Sequence, residues 1–283
     1  MTPVPSTDGV TVALHDLGGS GRAVLFAHAT GFCGPMWGPV VAHLPAWRAW
    51  APDLRAHGDA VVGAEPRLTW TAVAEDLLAV IDHLRLRDVL AVGHSMGAAA
   101  LLLAEIARPG TFEALYCYEP VTPPADPPIP AVRAHERTIE AAARRRRDVF
   151  PSRAAAQQNF AAKPPFEALD PAALRAYVDH GFADVGDGSG AVRLKCRPEH
   201  EATLYVHGGD HRAFERLGEV HCPVTVGTGE PTEGRPSSYA ADVVARLPRG
   251  RLQRFDGLGH FGPCEAPARV AASIVAAFGE RAP

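Results

Sequence analysis

Val89-Leu90-Ala91-Val92-Gly93-His94-Ser95-Met96-Gly97-Ala98-Ala99-Ala100 is the stretch on which the reading of this chain turns. Four apolar residues lead into Gly-His-Ser-Met-Gly, and small and aliphatic residues then continue to Ala107. That pattern predicts a buried strand, one sharp turn and a helix. The turn matches G-x-S-x-G, the nucleophile elbow, whose serine sits in a strained backbone conformation. Residues two before and two after it must be small, and Gly93 and Gly97 meet that demand. Such a turn stands the Ser95 hydroxyl clear of the sheet above a helix N-terminus. The pentapeptide alone is common. Its setting between a strand-like and a helix-like run is what makes Ser95 a candidate nucleophile rather than a passive residue of a glycine-rich turn.

Upstream of the elbow, Ala23-Val24-Leu25-Phe26-Ala27 is a continuous apolar run, as a parallel strand buried on both faces requires. It exits into His28-Ala29-Thr30-Gly31-Phe32. Val10 to Leu17 alternates as an outer strand, and Met36 to Leu44 is helical. A further strand exit is Asp53-Leu54-Arg55-Ala56-His57-Gly58-Asp59, where Asp53 and His57 are expected to fix the loop. Val73, Leu77, Val80, Ile81 and Leu84 mark an amphipathic helix over Trp70 to Leu84.

Downstream, Pro109-Gly110 stops the elbow helix, and Phe112 to Tyr118 is a strand closed by Glu119-Pro120. Pro123, Pro124, Pro127, Pro128 and Pro130 form a stiff linker. From Ala131 to about Phe214 helical patterns dominate and strand signals are few. Strand-helix alternation then resumes at Cys222 to Gly227, Ser237 to Leu247, Arg251 to Phe255 and Ala266 to Phe278. The expected fold is α/β: a mostly parallel central sheet with helices on both faces. The expected organisation is a core over 1–120, a helical cap inserted over 121–215, and the rest of the core over 216–283.

The 283 residues carry a net charge of −4, with 47% hydrophobic and 21% charged residues. This is ordinary globular composition and offers no basis for nucleic acid or an anionic membrane as partner. Five cysteines, Cys33, Cys117, Cys196, Cys222 and Cys264, are odd in number, scattered, and without a C-x-x-C pair. They fit a reducing cytoplasm. Met1 to Ser6 lacks the basic-then-apolar pattern of a secretory signal, and no apolar run is long enough to span a bilayer. Oligomeric state is not legible, and a homodimer is compatible with the sequence.

A serine nucleophile needs a base, and the base needs an orienting group. Among 13 histidines, His260 stands in Asp256-Gly257-Leu258-Gly259-His260-Phe261, a glycine-rich loop after the last strand that is able to curl back over the elbow. Candidate acids lie at two strand ends: Glu119 after the strand that follows the elbow helix, and Glu230 or Glu233 in Gly229-Glu230-Pro231-Thr232-Glu233. A strand-end position on the neighbouring strand shares the rim with Ser95, so Glu119 is preferred. Two backbone N–H donors are needed for a developing oxyanion. Met96, directly after the nucleophile, and Thr30, between the small Ala29 and Gly31, are the candidates.

His28-Ala29-Thr30-Gly31-Phe32, Asp53-Leu54-Arg55-Ala56-His57-Gly58, Gly93-His94-Ser95-Met96-Gly97 and Gly259-His260-Phe261 together resemble the α/β-hydrolase fold with a helical cap, over nearly the whole chain. In that superfamily the acid usually follows the penultimate strand in a Gly-acidic-x-Asp pattern, where this chain has Thr232. Tyr118-Glu119-Pro120 resembles instead the subgroup that includes zearalenone-type lactone hydrolases, in which the strand-end glutamate is the triad acid. The resemblance implies a serine hydrolase of carboxylic esters or lactones without a cofactor. Dehalogenases and epoxide hydrolases on this fold use aspartate where Ser95 stands. A C–C hydrolase, a thioesterase or acyltransferase, and a non-catalytic ligand-binding protein remain alternatives.

Phe32 and Trp37 are expected to face substrate, with Phe160, Phe166, Tyr177 and Phe182 as further pocket aromatics. Arg144-Arg145-Arg146-Arg147 reads as the solvated face of a helix. His207 and His211, four apart around Asp210, are too few to hold a metal, and none is expected.

Overall fold

The computed structural model describes residues 1–125 and 128–279; Pro127 of the proline linker lies outside them. The chain runs β1 (Thr2–Pro5), β2 (Thr11–Asp16), β3 (Ala23–Ala27), α1 (Gly38–Val41), β4 (Arg48–Asp53), α2 (Trp70–His83), β5 (Val89–His94), α3 (Met96–Ala107) and β6 (Phe112–Tyr118). An inserted segment follows: α4 (Pro130–Arg144), β7 (Val149–Phe150), α5 (Arg153–Ala161), α6 (Pro171–Gly181), β8 (Phe182–Asp184), β9 (Val192–Leu194), α7 (Pro198–Val206) and α8 (Ala213–Arg216). The chain closes with β10 (Val224–Thr228), α9 (Ala240–Arg246), β11 (Gly250–Arg254), α10 (Gly262–Glu265) and α11 (Pro267–Phe278).

Eight strands form one sheet in the order β1-β2-β4-β3-β5-β6-β10-β11, parallel from β4 onward, with β1 and β2 antiparallel at one edge. The apolar runs of the central strands have a simple cause. Side chains alternate across a strand, so Val24, Phe26, Leu90 and Val92 enter one core while Leu25, Ala27, Val89 and Ala91 enter the other. The first core is covered by the Trp37–Leu44 region and α11, the second by α2, α3 and α9. Both faces of these strands are dry, so no polar alternation can survive in them.

Two expectations need correction. The Val10 to Leu17 strand is not the sheet edge, because β1 pairs outside it from Thr2↔Leu14 to Pro5↔Thr11. Two prolines in a four-residue segment hid that strand, and an edge is where proline is tolerated, since no neighbour needs its missing N–H. The inserted segment is not purely helical either. Its β7, β9 and β8 form a small antiparallel sheet. Strands of two or three residues are too short to display alternation.

A buried carboxylate that sequence reading passed over closes the elbow helix. Glu105 accepts from the amides of Gly110 (2.8 Å), Thr111 (3.1 Å) and Phe112 (3.1 Å), so the turn that stops α3 also fixes the start of β6.

Candidate active site

The elbow is built by steric exclusion. Ser95 has φ 54° and ψ −116°, a conformation that side chains rarely adopt. Its N–H donates to the Tyr118 carbonyl (2.9 Å), which ties the turn to the neighbouring strand. A Cβ on Gly93 would lie 2.6 Å from the Ala98 Cα, and one on Gly97 would lie 2.3 Å from the Ala27 carbonyl oxygen. Both glycines are therefore dictated by backbone contact on either side of the serine.

β6 lies between β5 and β10, with His94 opposite Tyr118 and Tyr118 opposite Gly227. Glu119, one residue further along β6, consequently emerges between Ser95 and the turn after β10. It has φ 43°, is 1% exposed, and its N–H donates to the Gly227 carbonyl (2.8 Å). Its Oε1 accepts from the Gly229 N–H (3.0 Å) and the Thr228 hydroxyl (3.3 Å). Its Oε2 accepts from Nδ1–H of His260 (2.7 Å), and the Ser95 hydroxyl donates to His260 Nε2 (3.1 Å). Serine, imidazole and carboxylate thus form one continuous hydrogen-bonded chain assembled from three separate strand ends.

The other two acids do different work. The exposed Glu230 accepts from the Gly257 N–H (2.8 Å), and its own N–H donates to the Leu258 carbonyl (2.7 Å), clasping the loop that carries His260. Glu233 is exposed on the same turn. Thr232 lies at its surface with its hydroxyl on the Glu230 carbonyl (3.2 Å).

Support for His260 comes from two sides. His94 Nε2–H donates to the His260 carbonyl (2.7 Å), and Tyr118 donates its hydroxyl to the Gly259 carbonyl (2.8 Å). Burial, then the nearby His260, holds His94 well below the ordinary histidine range, so it stays neutral, with Nε2 as its protonated nitrogen.

The loop after β3 is held by two more neutral histidines. His28 donates from Nδ1 to the Ala29 carbonyl (2.8 Å) and accepts the Leu54 N–H on Nε2 (3.0 Å). His57 donates from Nδ1 to the Arg55 carbonyl (2.9 Å) and accepts the Gly31 N–H on Nε2 (2.9 Å). Each needs one protonated and one bare nitrogen, hence a neutral ring. Burial, then the facing His57, pushes His28 down to about 3; burial also lowers His57. The Gly31 amide is engaged, and Ala29 and Thr30 are the residues of this loop that line the pocket beside Ser95. Asp53 behaves as expected at the strand exit, accepting from the amides of Gly34 (2.7 Å) and Asp59 (2.8 Å) and pairing with His15 (2.9 Å).

The pocket in front of Ser95 and His260 is walled by Trp70, Val121, Tyr239 and Phe261 from the core. From the inserted segment come Val132, His135, Glu136, Ile139 and Tyr205. The α4 residues recur at spacings of three and four, so one face of that helix forms the wall. The spacing was visible in the sequence but was not singled out, because that face mixes charged and apolar residues. Burial, then Arg235 and His260, pushes His135 down to about 4.

Phe32 lines an adjoining outer pocket with Arg146 and Phe166 and packs against Tyr177 and Phe261. Trp37 does not reach either space. It is 4% exposed, in the core beneath the loop, with its ring 5.3 Å from that of Phe26. The chain turns into a helix at Gly34–Trp37, which directs the indole toward the sheet rather than the rim. The arginine run also divides. Arg144, Arg145 and Arg147 are exposed, but Arg146 turns inward to pair with Glu201 (2.6 Å) and to meet the Tyr177 hydroxyl. His207 pairs with Asp210 (2.9 Å), while His211 donates to the Val121 carbonyl (3.0 Å) and stacks on Trp70, so the two do not converge. Among the described residues, His15, Asp53 and Asp59 are the carboxylate-histidine cluster with metal-ligand spacing; Lys195 already pairs with Asp59 (2.7 Å) and the Asp53 oxygens carry the loop bonds above.

A fold with this strand order and a serine elbow at the end of β5 defines a class. The model of the alpha/beta hydrolase family matches residues 24–273, and the chain belongs to that family. Among curated relatives, an epoxide hydrolase of Caballeronia sordidicola is 30% identical over 114 residues, 39% of this chain and 34% of that protein. A non-heme haloperoxidase of Rhodococcus erythropolis is 36% identical over 111 residues, 38% of each. The chain thus spans only 34–38% of the length of these two relatives. Among solved structures, E-2-(acetamidomethylene)succinate hydrolase superposes with a TM-score of 0.80 at 20% identity, covering 96% of this chain and 97% of that one. A thermophilic esterase from Thermogutta terrifontis superposes at 0.73 with 20% identity, over 100% and 99%. No helix among the described residues is long and apolar enough to cross a membrane.

Proposed function

We propose that this chain is a serine hydrolase of carboxylic esters or lactones, with Ser95 as nucleophile, His260 as base and Glu119 as the orienting acid. One observation carries the reading: the unbroken run from Ser95 Oγ through His260 (3.1 Å) to Glu119 (2.7 Å), opening on a largely apolar pocket. Ser95 attacks the ester carbonyl as His260 Nε2 takes its proton. Charge on the carbonyl oxygen is stabilised by the N–H groups of Met96, at the start of α3, and Thr30; one such donor contributes about 3 kcal/mol to the transition state. His260 then protonates the departing alcohol, and water releases the acyl group by the same steps in reverse. Glu119 holds Nδ1 protonated throughout, so Nε2 is the nitrogen that takes up and returns the proton.

The inserted segment acts as a cap, since α4 and Tyr205 of α7 form part of the pocket wall. A glutamate acid on the strand after the elbow helix aligns the site with lactone-cleaving hydrolases more than with the usual aspartate arrangement. Position 95 is serine, which argues against epoxide opening despite the epoxide hydrolases among the relatives. Five buried free cysteines favour a reducing, cytoplasmic setting. The test is labelling with a fluorophosphonate probe, followed by a panel of 4-nitrophenyl esters, thioesters and lactones. Wild-type protein should be labelled and Ser95→Ala should not. A folded wild-type protein that resists the probe and turns over no ester would establish a non-catalytic binding scaffold instead.

A further inference from the structure

The arginines around the pocket are not equivalent. Arg133 pairs with Glu136 (3.1 Å), Arg144 with Glu140 (2.6 Å), and Arg146 with Glu201 (2.6 Å). Arg235 is half-buried and lines both the inner pocket, with Ser95 and His260, and the outer one, with Thr30 and Phe32. Among the described residues no carboxylate pairs with its guanidinium.

The placement of Arg235 is built, not incidental. Its N–H donates to the Thr232 carbonyl (3.1 Å), its carbonyl accepts from the Ser238 hydroxyl (2.7 Å), and the Thr232 N–H donates to Ser237 (3.0 Å). Gly234, at φ +74°, lets this turn press against α4; a Cβ there would lie 2.7 Å from the Ala131 carbonyl oxygen. The turn therefore fixes the backbone from which this cation reaches the pocket. His135, His260 and Glu136 line the same inner pocket; Glu136 pairs with Arg133 through Oε2, while its Oε1 has no hydrogen-bond partner in the protein. The Thr30 hydroxyl, in a residue 7% exposed that lines both pockets, has no hydrogen-bond partner in the protein.

A half-buried guanidinium without a counter-ion is costly unless something arrives to pair with it. Its planar fork matches a carboxylate in two-point geometry. Building on the serine-hydrolase reading, we propose that Arg235 recognises a carboxylate on the acyl arm of the substrate, so that the enzyme acts on half-esters of short dicarboxylic acids. The acyl arm is assigned because it is the part that stays in the inner pocket, bound to Ser95, after the alcohol has left.

The test compares 4-nitrophenyl hemiglutarate and hemiadipate with the neutral valerate and hexanoate esters, each corrected for spontaneous hydrolysis. The readout is the ratio of kcat/KM, charged over neutral. In wild-type protein the ratio should exceed one and fall with rising NaCl. In Arg235→Gln it should drop about tenfold or more, mainly through KM, and Arg235→Lys should restore part of it. Should Arg235→Gln fail to fold, the wild-type ratio and its salt dependence decide the matter. Turnover of both ester types at a ratio near one, or a ratio unmoved in Arg235→Gln, would overturn this proposal alone. Absence of all turnover and of fluorophosphonate labelling would overturn the hydrolase reading, and this one with it.

Discussion

Replacing Glu119 with glutamine changes one oxygen to nitrogen, and the surroundings determine which one. Oε1 receives the Gly229 N–H at 3.0 Å and the Thr228 hydroxyl at 3.3 Å; Oε2 receives His260 Nδ1–H at 2.7 Å. The Gly229 amide is part of the backbone and is able only to donate, so the glutamine carbonyl must stay at the Oε1 position. Its NH₂ group is then forced against His260 Nδ1. Two donors cannot face each other, so the imidazole shifts its proton to Nε2. In the proposed mechanism Nε2 accepts the Ser95 proton, and it is now occupied. The same inversion in a serine protease triad lowers kcat by about 10⁴, or about 5.5 kcal/mol of barrier. We expect a loss of about 10³–10⁴ in kcat for Glu119→Gln, with KM nearly unchanged and the far-UV spectrum intact. Fluorophosphonate labelling of Ser95 should slow in parallel. Glu230→Gln serves as the comparison, because Glu230 is exposed and its carboxylate bonds the His260 loop rather than the imidazole. It should stay within about tenfold of wild type. If Glu119→Gln keeps most of its activity while Glu230→Gln loses it, the assignment of the acid is wrong.

Further outcomes follow from the same geometry. Gly97→Ala must displace the Ala27 carbonyl, 2.3 Å from the new Cβ, and should cost roughly 2–3 kcal/mol in urea unfolding along with most activity. Glu105→Gln gives up a carboxylate that accepts three amides, so stability should fall by about 2 kcal/mol while kcat/KM changes little. Trp37→Phe should leave kcat/KM within about threefold, because the indole sits in the core; a large specific effect on KM would return it to the pocket. Acid should destabilise the fold through its buried neutral histidines. His28 is pushed from an ordinary value near 6.5 down to about 3, so below about pH 6.5 the unfolded chain binds a proton that the folded one refuses. Stability is then full above that range and lost as pH falls, by about 2 kcal/mol at pH 5 for His28 alone. Thermal unfolding followed from neutral to acid pH, in wild type and in His28→Gln, measures this; an unchanged slope in the variant would refute it.

Sequence patterns reached furthest where the constraint is local. The elbow was legible because a serine at φ 54° needs glycine where neighbouring backbone passes within a Cβ radius, and glycine is visible in a sequence. The central strands were legible because burial on both faces removes polar residues altogether. β1 escaped notice because its two prolines signal turns unless the edge of the sheet is already known. Phe32 and Trp37 looked alike as aromatics near one loop, but the turn at Gly34–Trp37 sends one to the rim and the other into the core. Arg146 belonged to a run of four like charges, and only the packing of α4 against α7 set it apart by bringing Glu201 to it.

Chain order alone, then, carried the strand-turn-helix at Ser95, the class of fold, and the short list from which the acid had to come, because steric and hydrophobic demands act on neighbours in sequence. Sequence already favoured Glu119 as the proposed acid; its hydrogen bond to His260 came only with the lateral order β5-β6-β10, which puts Glu119 between the serine and the Gly229 turn. The pocket wall on α4 and the approach of Arg235 to it likewise arise from contacts between residues about a hundred positions apart. Hydrogen bonds and ion pairs fall off within a few ångströms, and distances of that size between remote residues exist only once the sheet has brought its strand ends to one rim.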